Sequence, residues 1–524
     1  MKFIDLRSPF RFAAALFVVL VVPVLFFQKW RPGFQSPGAR SGDEPHYLVI
    51  VHSIVNDFDL DIANNYSPIR FAAGHGNTAN VQREKHGDAY PQGVYLSGFP
   101  LSRHTNLVPE QPSRERIYRW DEVYHFVFTG NTGGDGPQTA TGAEIAPEAV
   151  AANFEARPRP GFEDFDPTGR TEVVWHPLGY PVLLALFTFP LVLLDSYWCE
   201  LVIVLLQFAL YVFALNRVRL LVPIGARASD GRSSNPRGEL LLVAATAMAL
   251  SAFYFAASIY TEGVAPALLL LAVVAFTMKR PLEVSAYLGL LFFIKESYAP
   301  LGPIFAAVYW WQSRNIRDVA IIAIFPIVAF ALFLARNLYF YGAPLQVYYP
   351  WAWNHDPLAG LAGLFFAAKK GVFVFTPVFV FFLAGLPALY RRQPQLALVC
   401  GASFVYFLTL TAATAYWSGG PTYGYRLLTP AVAMLTPAFF AWLHELREQS
   451  AHANDPGKNG RSYVRAVLRA LTFGLLGVST LNGFFGATNL NYAYDTETYV
   501  NLIQPEQSQL YRRLHADESP ARPD

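Results

Sequence analysis

Long apolar runs constrain this chain more than any other feature of its sequence. Hydrophobic residues make up 53% of its 524 residues and charged residues only 15%. The hydrophobic residues are gathered into runs close to the ~20 residues with which an α-helix crosses the hydrocarbon core of a bilayer. Runs of this length and composition predict an all-α polytopic membrane protein, with the lipid bilayer as its surroundings.

Charge and cysteine usage exclude several other classes. The 40 basic and 38 acidic residues nearly balance, so no strongly basic character indicates a nucleic-acid partner. Cys199 and Cys400 both fall in apolar runs, which argues against a disulfide framework or a thiolate metal site. The sequence has no GxxxxGK[ST] loop and no GxGxxG turn after a strand, so nothing indicates ATP-driven chemistry. We therefore expect no cofactor and no metal.

Basic residues orient the predicted spans. The first apolar run, residues 12–27, follows Lys2, Arg7 and Arg11. It resembles a signal peptide but lacks a small-residue cleavage site, so we interpret it as an uncleaved first span. Basic residues concentrate in cytoplasmic loops, which places this flank in the cytoplasm. Alternating the later apolar runs, among them 240–256, 372–389 and 427–443, with the basic segments between them predicts about eleven spans, a cytoplasmic N-terminus and an external C-terminus.

The long polar stretch after the first span sets the predicted organisation. Its Gly/Thr/Pro-rich part, 130–161, predicts little secondary structure. At its end the apolar run 182–194 is short and follows two prolines, which favours an interfacial or re-entrant helix over a full span. The predicted parts are a first transmembrane helix (1–30), a periplasmic loop with an acidic motif and juxtamembrane helices (31–195), a transmembrane bundle (196–482) and an external polar tail (483–524).

An acidic turn, Asp43-Glu44, lies just beyond the first span. Adjacent carboxylates beside a bilayer are costly unless they are solvated, cap a helix or have a function. In one interpretation Glu44 caps a helix whose first residue is Pro45, and Asp43 is solvated. In the other, Asp43 is a general base that deprotonates an acceptor hydroxyl or amine, with Glu44 positioning it. A rigid helix start suits both, so the residues alone leave them open.

Other polar residues also lie at the external ends of predicted spans. His46 and His176 stand near the two ends of the long loop, either as structural hydrogen-bonding residues or as contacts for a phosphate or an acceptor. Their spacing with the acidic pair matches no recognised metal-ligand pattern. Glu262 and the pair Lys295-Glu296 lie at turns of apolar hairpins, as ordinary turn charges or as functional residues.

Two arginines and one aromatic-glycine segment complete the candidates. Arg336 and Arg426 suit bidentate contacts to a phosphate, whereas Lys369-Lys370 are interpreted as snorkelling toward lipid headgroups. The segment 416–426 combines glycines that permit tight turns with aromatic faces, Tyr423 among them, that suit a sugar or an isoprenoid. The alternative is a plain interfacial turn.

The order of these motifs resembles a known family. The motifs are Gly-Asp-Glu-Pro-His-Tyr at 42–47, Asp-Leu-Asp-Ile-Ala-Asn-Asn-Tyr at 59–66, His-Pro-Leu-Gly-Tyr-Pro at 176–181, Lys295 after an apolar hairpin, and Trp-Ser-Gly-Gly…Tyr-Gly-Tyr-Arg-Leu-Leu-Thr-Pro at 417–430. Together they resemble the bacterial GT-C glycosyltransferases, the group that includes protein O-mannosyltransferases and the aminoarabinose transferases of lipid A. The resemblance covers about 1–70 and 170–490. The insertion 71–171 has no recognised counterpart.

The resemblance implies a GT-C-like helical bundle in the bacterial inner membrane, with its active site on the periplasmic side. It implies inverting, metal-independent transfer of a sugar from a polyprenyl-phosphate donor to a lipid, glycan or protein acceptor. By the family's pattern Asp43 is the catalytic base and Glu44 supports it or binds the acceptor. Basic residues bind the carrier phosphate at positions that vary. The substrate-binding candidates are His46, His176, Lys295, Arg336, Tyr423 and Arg426.

Other classes compete with this interpretation. A transporter or flippase of lipid-linked sugars requires a polar path to the cytoplasmic side, and the sequence shows no deep charged residues there. A ligase of the O-antigen type, using a diphosphate donor, is expected to carry its largest external loop late in the chain, whereas here the largest loop comes first. A receptor or scaffold built on the insertion 71–171 is a further alternative.

Overall fold

The computed structural model describes helices, two small sheets and the short segments that join them. The described residues are 6, 8–28, 47, 50–51, 54–55, 58, 95–96, 99–100, 116–119, 124–128, 154–158, 178–193, 198–222, 224, 235–345, 356–368, 370–414, 417–419, 423–451 and 459–488. The predicted polar tail (483–524) lies outside them after Thr488, and the motif 59–66 lies outside them entirely.

Helices form nearly all of the described structure. In chain order they are α1 (Pro9–Gln28), α2 (Gly179–Leu193), α3 (Trp198–Leu221), α4 (Pro236–Ala249), α5 (Ser251–Ala256), α6 (Thr261–Thr277), α7 (Pro281–Ile294), α8 (Leu301–Ser313), α9 (Ile316–Tyr341), α10 (Pro357–Phe366), α11 (Val372–Phe375), α12 (Phe379–Arg392), α13 (Pro394–Ala412), α14 (Thr429–Met434), α15 (Thr436–Ala451) and α16 (Asn459–Thr488). Two 3₁₀ turns, Glu296–Tyr298 and Arg426–Leu428, lie between them.

Several of these helices are suited to a membrane. Five of the described helices, α1, α3, α9, α13 and α16, are long and apolar enough to cross a bilayer, and a bent pair, Arg426–Met434 with Thr436–Glu448, raises the number to six. Four shorter helices, α2, α6, α7 and α10, are also apolar. The prediction of a helical multi-pass membrane protein is supported by these apolar helices, the all-α part does not hold for the strands described next, and the number of about eleven spans stays a prediction.

Two small antiparallel sheets lie in the long loop. β1 (Tyr95–Leu96) pairs with β2 (Phe99–Pro100), and β3 (Arg116–Arg119), β4 (Tyr124–Phe128) and β5 (Phe154–Pro158) form a three-stranded sheet in that order. β5 lies within 130–161, for which the sequence predicted little secondary structure. The glycines and prolines of that stretch masked a short alternation, Phe-Glu-Ala-Arg-Pro, which has the two-residue period of a strand.

The chain divides into two compact units, which are Met1–Lys29 with Val204–Ala331 and Tyr349–Asp524, and Trp30–Ile203 with Leu332–Tyr348. In the first unit α6 is central, because nearly all of its residues are buried and it packs against α5, α7, α13 and α14. The N-terminus of α6 therefore lies inside this unit rather than at its surface.

Caps and prolines fix several helix starts locally. The Asn235 side chain accepts the N–H of Gly238 at 3.0 Å at the start of α4, and Asp356 accepts the N–H of Leu358 at 2.9 Å at the start of α10. Each cap is followed by a proline at the first helical position, where the missing N–H has no partner to lose.

The predicted spans 240–256 and 372–389 are interrupted rather than continuous. α4 and α5 are separated at Leu250, whose ψ of 142° is extended. Between α11 and α12, Pro377 has no N–H to continue the helix. Thr376 donates its hydroxyl to the Ala249 carbonyl at 2.8 Å, so the two interruptions are joined by a hydrogen bond. Because both breaks are buried, the Ala249 carbonyl needs a hydrogen-bond partner, and Thr376 at the other break supplies it.

The predicted span 427–443 is bent. The axes of its two halves differ by 47° across Leu435. Pro437 supplies no N–H to the Ala433 carbonyl, which instead accepts the Thr436 hydroxyl at 2.6 Å.

A buried ion pair joins α1, α3 and α4. Arg219 Nη1 lies 3.1 Å from Glu239 Oε1 with both side chains buried, and the guanidinium stacks over Phe12 at 3.8 Å from the ring centroid. Asn216 donates to the Pro9 carbonyl at 3.0 Å, at the first residue of α1. A charge buried this deeply needs its partner, so these contacts fix the N-terminal end of α1 against its neighbours.

Candidate functional site

The candidate site begins at the break between α5 and α6. Residues 257–260 are fully buried here, so their backbone groups need partners. Gln207 on α3 supplies one, donating its side-chain amide to the Ser258 carbonyl at 2.6 Å. The break leaves Glu262 in the first turn of α6, where the positive end of the helix dipole stabilises a carboxylate.

Glu262 binds two cations from distant parts of the chain. Its Oε1 lies 3.2 Å from Lys295 Nζ and 3.5 Å from Arg426 Nε, although only 2% of the Glu262 side chain is exposed. Its other oxygen accepts the Thr261 hydroxyl at 2.9 Å. Both cations thus converge on one buried carboxylate, and we call Glu262, Lys295 and Arg426 the ionic cluster.

Both cations lie at the ends of secondary-structure elements. Lys295 is the residue immediately after α7, where the backbone turns to an extended conformation. Arg426 opens a 3₁₀ turn that leads into α14, and its guanidinium carbon lies 4.5 Å from the centroid of the Tyr260 ring. This cation–π contact and the contact to Glu262 together hold the guanidinium in place.

Glycines at positive φ place Arg426. Gly419 has φ +69° and Gly424 has φ +60°, the left-handed region that favours glycine. A Cβ at Gly419 would lie 3.2 Å from the Arg426 Cβ, and one at Gly424 would lie 2.8 Å from Ser251 Oγ. The conformational freedom expected of the aromatic-glycine segment is therefore used to bring Arg426 inward.

Tyr425 anchors the same turn. Its hydroxyl is hydrogen-bonded to Thr376 Oγ1 at 2.7 Å and accepts the Ser251 N–H at 3.3 Å. Thr376 stands at the break between α11 and α12, and Ser251 at the break between α4 and α5. The interruptions of the predicted spans and the position of Arg426 thus belong to one hydrogen-bonded arrangement.

We expect Gly424→Ala to lower the free energy of unfolding by about 1–2 kcal/mol, because an L-residue is strained in this conformation and its Cβ would crowd Ser251. Gly401→Ala is the control, since Gly401 is helical and no atom lies within 4 Å of the place that an added Cβ would occupy. That change should be neutral or stabilise by up to about 1 kcal/mol. Thermal unfolding of the purified protein in detergent measures both, and equal stabilities of the two variants would contradict the assigned strain.

The charge of this region is biased toward positive. The ionic cluster holds two cations and one carboxylate. In the turn between α10 and α11, burial and, to a lesser extent, the positive charge of Arg426 lower the pKa of Lys370 to about 7. Lys370 therefore responds to Arg426 electrostatically and is half-buried, which differs from the snorkelling expected of it. An anion that enters here would meet more positive than negative charge.

Tyr423 and Arg336, which were also predicted to bind substrate, are not members of the ionic cluster. Tyr423 is buried, stacks on Tyr254 with ring centroids 4.8 Å apart, and donates its hydroxyl to the Asn482 carbonyl at 2.7 Å. It packs the interior, so a substrate contact from its ring stays a prediction that the packing does not favour. Arg336 belongs to the other unit, where its Nη1 donates to Asn337 Oδ1 at 3.4 Å.

The residues that flank the acidic motif are partly described. Asp43, Glu44, His46 and His176 lie outside the described residues, and their roles stay predictions. Tyr47, the last residue of the motif 42–47, is helical and buried, and packs edge-to-face on Tyr180 with ring centroids 5.1 Å apart. Because Tyr180 lies four residues after His176, the two ends of the long loop meet at this ring pair.

The sequence patterns identified Lys295 and Arg426 but left Glu262 between a turn charge and a functional residue. They did not identify Tyr260 or Thr261, and they identified Tyr425 only as part of the segment 416–426. The signal present in the sequence was Tyr-Thr-Glu-Gly at the start of a wholly apolar run, where a glutamate has no reason to be buried unless cations reach it.

Within the described ranges, no group of three or more His, Cys, Asp or Glu residues could hold a metal ion. The ionic cluster instead combines an arginine and a lysine with the one carboxylate that lies between them.

The helices and this cluster define a multi-pass helical membrane protein with a buried, positively biased ionic site at a helix break. Comparison with protein families, curated proteins and solved structures finds no match to this chain.

Proposed function

We propose that this protein is a membrane glycosyltransferase that moves a sugar from a polyprenyl-phosphate donor to an acceptor at the periplasmic face of the bacterial inner membrane. The observation that carries the proposal is the ionic cluster. Lys295 and Arg426 are held together by one buried carboxylate, which is a preorganised arrangement for a phosphate. The motifs of the sequence supply the reaction type.

The reaction divides between two sets of residues. Asp43 takes the proton of the acceptor hydroxyl or amine, and the acceptor attacks the anomeric carbon from the face opposite the phosphate. The bond between the anomeric carbon and the phosphate oxygen breaks, and its electron pair leaves with the polyprenyl phosphate. Lys295 and Arg426 stabilise the charge that develops on that oxygen, and Glu44 supports Asp43.

Glu262 keeps the cations in place between turnovers. Lys295 and Arg426 both lie within 3.5 Å of Glu262 Oε1. Without that carboxylate the two positive charges would repel each other and turn toward solvent. The single charge of Glu262 still leaves the site positive by one charge, so a phosphate is attracted to it.

One observation favours a second candidate, a flippase for lipid-linked sugars. Helix breaks that carry charged residues are typical of transporters, and the break beside Glu262 has this character. A flippase would use the same cations to bind the phosphate but would have no need of Asp43.

Mass spectrometry of lipids, glycans and envelope proteins from a deletion strain and its wild-type parent tests the proposal. We expect one acceptor to lose a mass increment of a single hexose or pentose, and plasmid-borne protein to restore it. Loss of the same increment with the lipid-linked sugar accumulating on the cytoplasmic leaflet, instead of the periplasmic one, would contradict glycosyl transfer and support the flippase.

A further inference from the structure

A cavity separate from the ionic cluster lies between α4, α15 and α16. Its volume is about 530 Å³. Leu241, Leu446, Phe473 and Leu476 give it apolar walls, and Arg447 and Arg469 contribute guanidinium groups. Leu446 and Leu476 are buried, whereas Leu241 and Phe473 are exposed, so the cavity is open on the outer surface of the helices.

The charged residues that line this cavity are all positive. None of its described lining residues is acidic. The two carboxylates that flank Arg447 on α15 already have partners, since Glu445 binds Arg391 at 2.8 Å and Glu448 binds Arg392 and His444. Arg469 donates to the Leu446 carbonyl at 3.3 Å, which uses one of its five donors. Arg447 and Arg469 therefore present positive charge beside an apolar groove.

The location fits the membrane surface. The cavity lies at the start of α4 and the end of α15, and the segments that lead to these ends hold Arg227, Arg232, Arg237, Lys458 and Arg461. Basic segments of this kind mark the cytoplasmic side. An apolar groove with arginines at this depth faces acyl chains along its walls and headgroups at its rim.

We propose that this cavity is a binding site for an anionic phospholipid of the cytoplasmic leaflet, with Arg447 and Arg469 on the headgroup phosphate and one acyl chain along Leu241 and Phe473. A lipid fits the cavity better than a peptide does, because the described walls offer no donor or acceptor pattern for a backbone. The inference is independent of the proposed transferase activity.

The test measures lipid retained by the full-length protein. Protein purified in detergent is incubated with equal amounts of phosphatidylglycerol and phosphatidylcholine, washed, and analysed by native mass spectrometry. We expect the wild type to retain phosphatidylglycerol about thirtyfold over phosphatidylcholine, as two arginines near a headgroup should give. Arg447→Gln with Arg469→Gln should remove that preference, and Arg317→Gln, an exposed arginine in the first turn of α9, should keep it.

A steric variant tests the acyl-chain part without touching a charge. Gly477 lines the cavity, and no atom lies within 4 Å of a Cβ built on it. Phenylalanine at this position should extend into the groove, lowering phosphatidylglycerol retention at least fivefold while the lipid-free melting temperature stays as in wild type.

Four results would overturn the inference. Equal retention of both lipids by the wild type would show no anionic site. A double arginine variant that keeps wild-type preference, or an Arg317→Gln variant that loses it, would show that the cavity is not responsible. A Gly477→Phe variant that changes the oligomeric state and leaves lipid retention unchanged would assign the groove to a second copy of the chain. Should the double variant unfold, Arg447→Gln alone and Gly477→Phe decide the question.

Discussion

The Asp43→Asn variant should transfer sugar about 10²–10⁴-fold more slowly than the wild type, because a positioned general base contributes an effect of that size. Asparagine matches aspartate in shape and remains a good helix-capping residue, so folding and membrane insertion should be unchanged. The measurement is the transfer rate in membranes that contain equal amounts of each protein, from donor extracted from the deletion strain.

Asp356→Asn is the matched control for this experiment. Asp356 is exposed and caps α10, and the predicted topology also places it outside the membrane. The same chemical change there should leave the transfer rate within about twofold of wild type, since asparagine caps a helix as well as aspartate does. Transfer at the wild-type rate by Asp43→Asn would remove this carboxylate from the reaction and leave the flippase as the better proposal.

The Glu262→Ala variant should be destabilised by about 3–5 kcal/mol, because it leaves Lys295 and Arg426 close together with no buried carboxylate between them. The contact to Thr261 is lost as well. A drop in melting temperature of the detergent-purified protein measures this effect. Adding Arg426→Gln to Glu262→Ala should recover part of the lost stability, because it removes one of the two repelling charges.

Glu283→Ala is the control for the ionic cluster. Glu283 pairs with Arg280 at 2.9 Å, but both side chains are about half exposed. Such surface pairs contribute at most about 1 kcal/mol, so this variant should melt close to wild type. Equal melting temperatures for Glu262→Ala and Glu283→Ala would show that Glu262 does not hold the cations together, and would remove the observation on which the phosphate site rests.

The Asp43→Asn and Glu262→Ala variants test different properties of the protein. Asp43→Asn concerns chemistry and should leave stability unchanged, whereas Glu262→Ala concerns the arrangement of the cations and should change stability first. Loss of transfer in the first variant with an intact melting temperature would support the proposed base. Loss of stability in the second, with residual transfer by the folded fraction, would show that Glu262 positions Lys295 and Arg426 without taking part in the reaction.

Local signals in the sequence predicted much of the described helical structure. Apolar runs of spanning length indicated the long helices, whereas the starts of α4 and α10, where proline follows a capping residue, were not predicted. Arg426 and Lys295 were found because a charged residue at the end of an apolar run is rare and therefore informative. These signals depend on neighbours along the chain, and such neighbours can be read from the sequence alone.

Those local signals could not predict contacts between residues that are distant in the chain. Glu262 and Lys295 are 33 residues apart, and Arg426 reaches the same carboxylate from another part of the chain. The break between α11 and α12 is satisfied by the carbonyl of Ala249, 127 residues away from Thr376. A polar residue in an apolar run reveals that it needs a partner, but the partner is defined only by packing.

The sequence by itself determined that this is a helical membrane protein, which ends of its spans carry charge, and which motifs resemble a sugar transferase. Only the tertiary structure decided that Glu262 joins two cations, that Tyr423 fills the interior, and that Arg447 and Arg469 line one apolar cavity. The reason is physical: hydropathy and capping act between residues close in the chain, whereas burial, ion pairing and cavities arise where helices distant in the chain pack together.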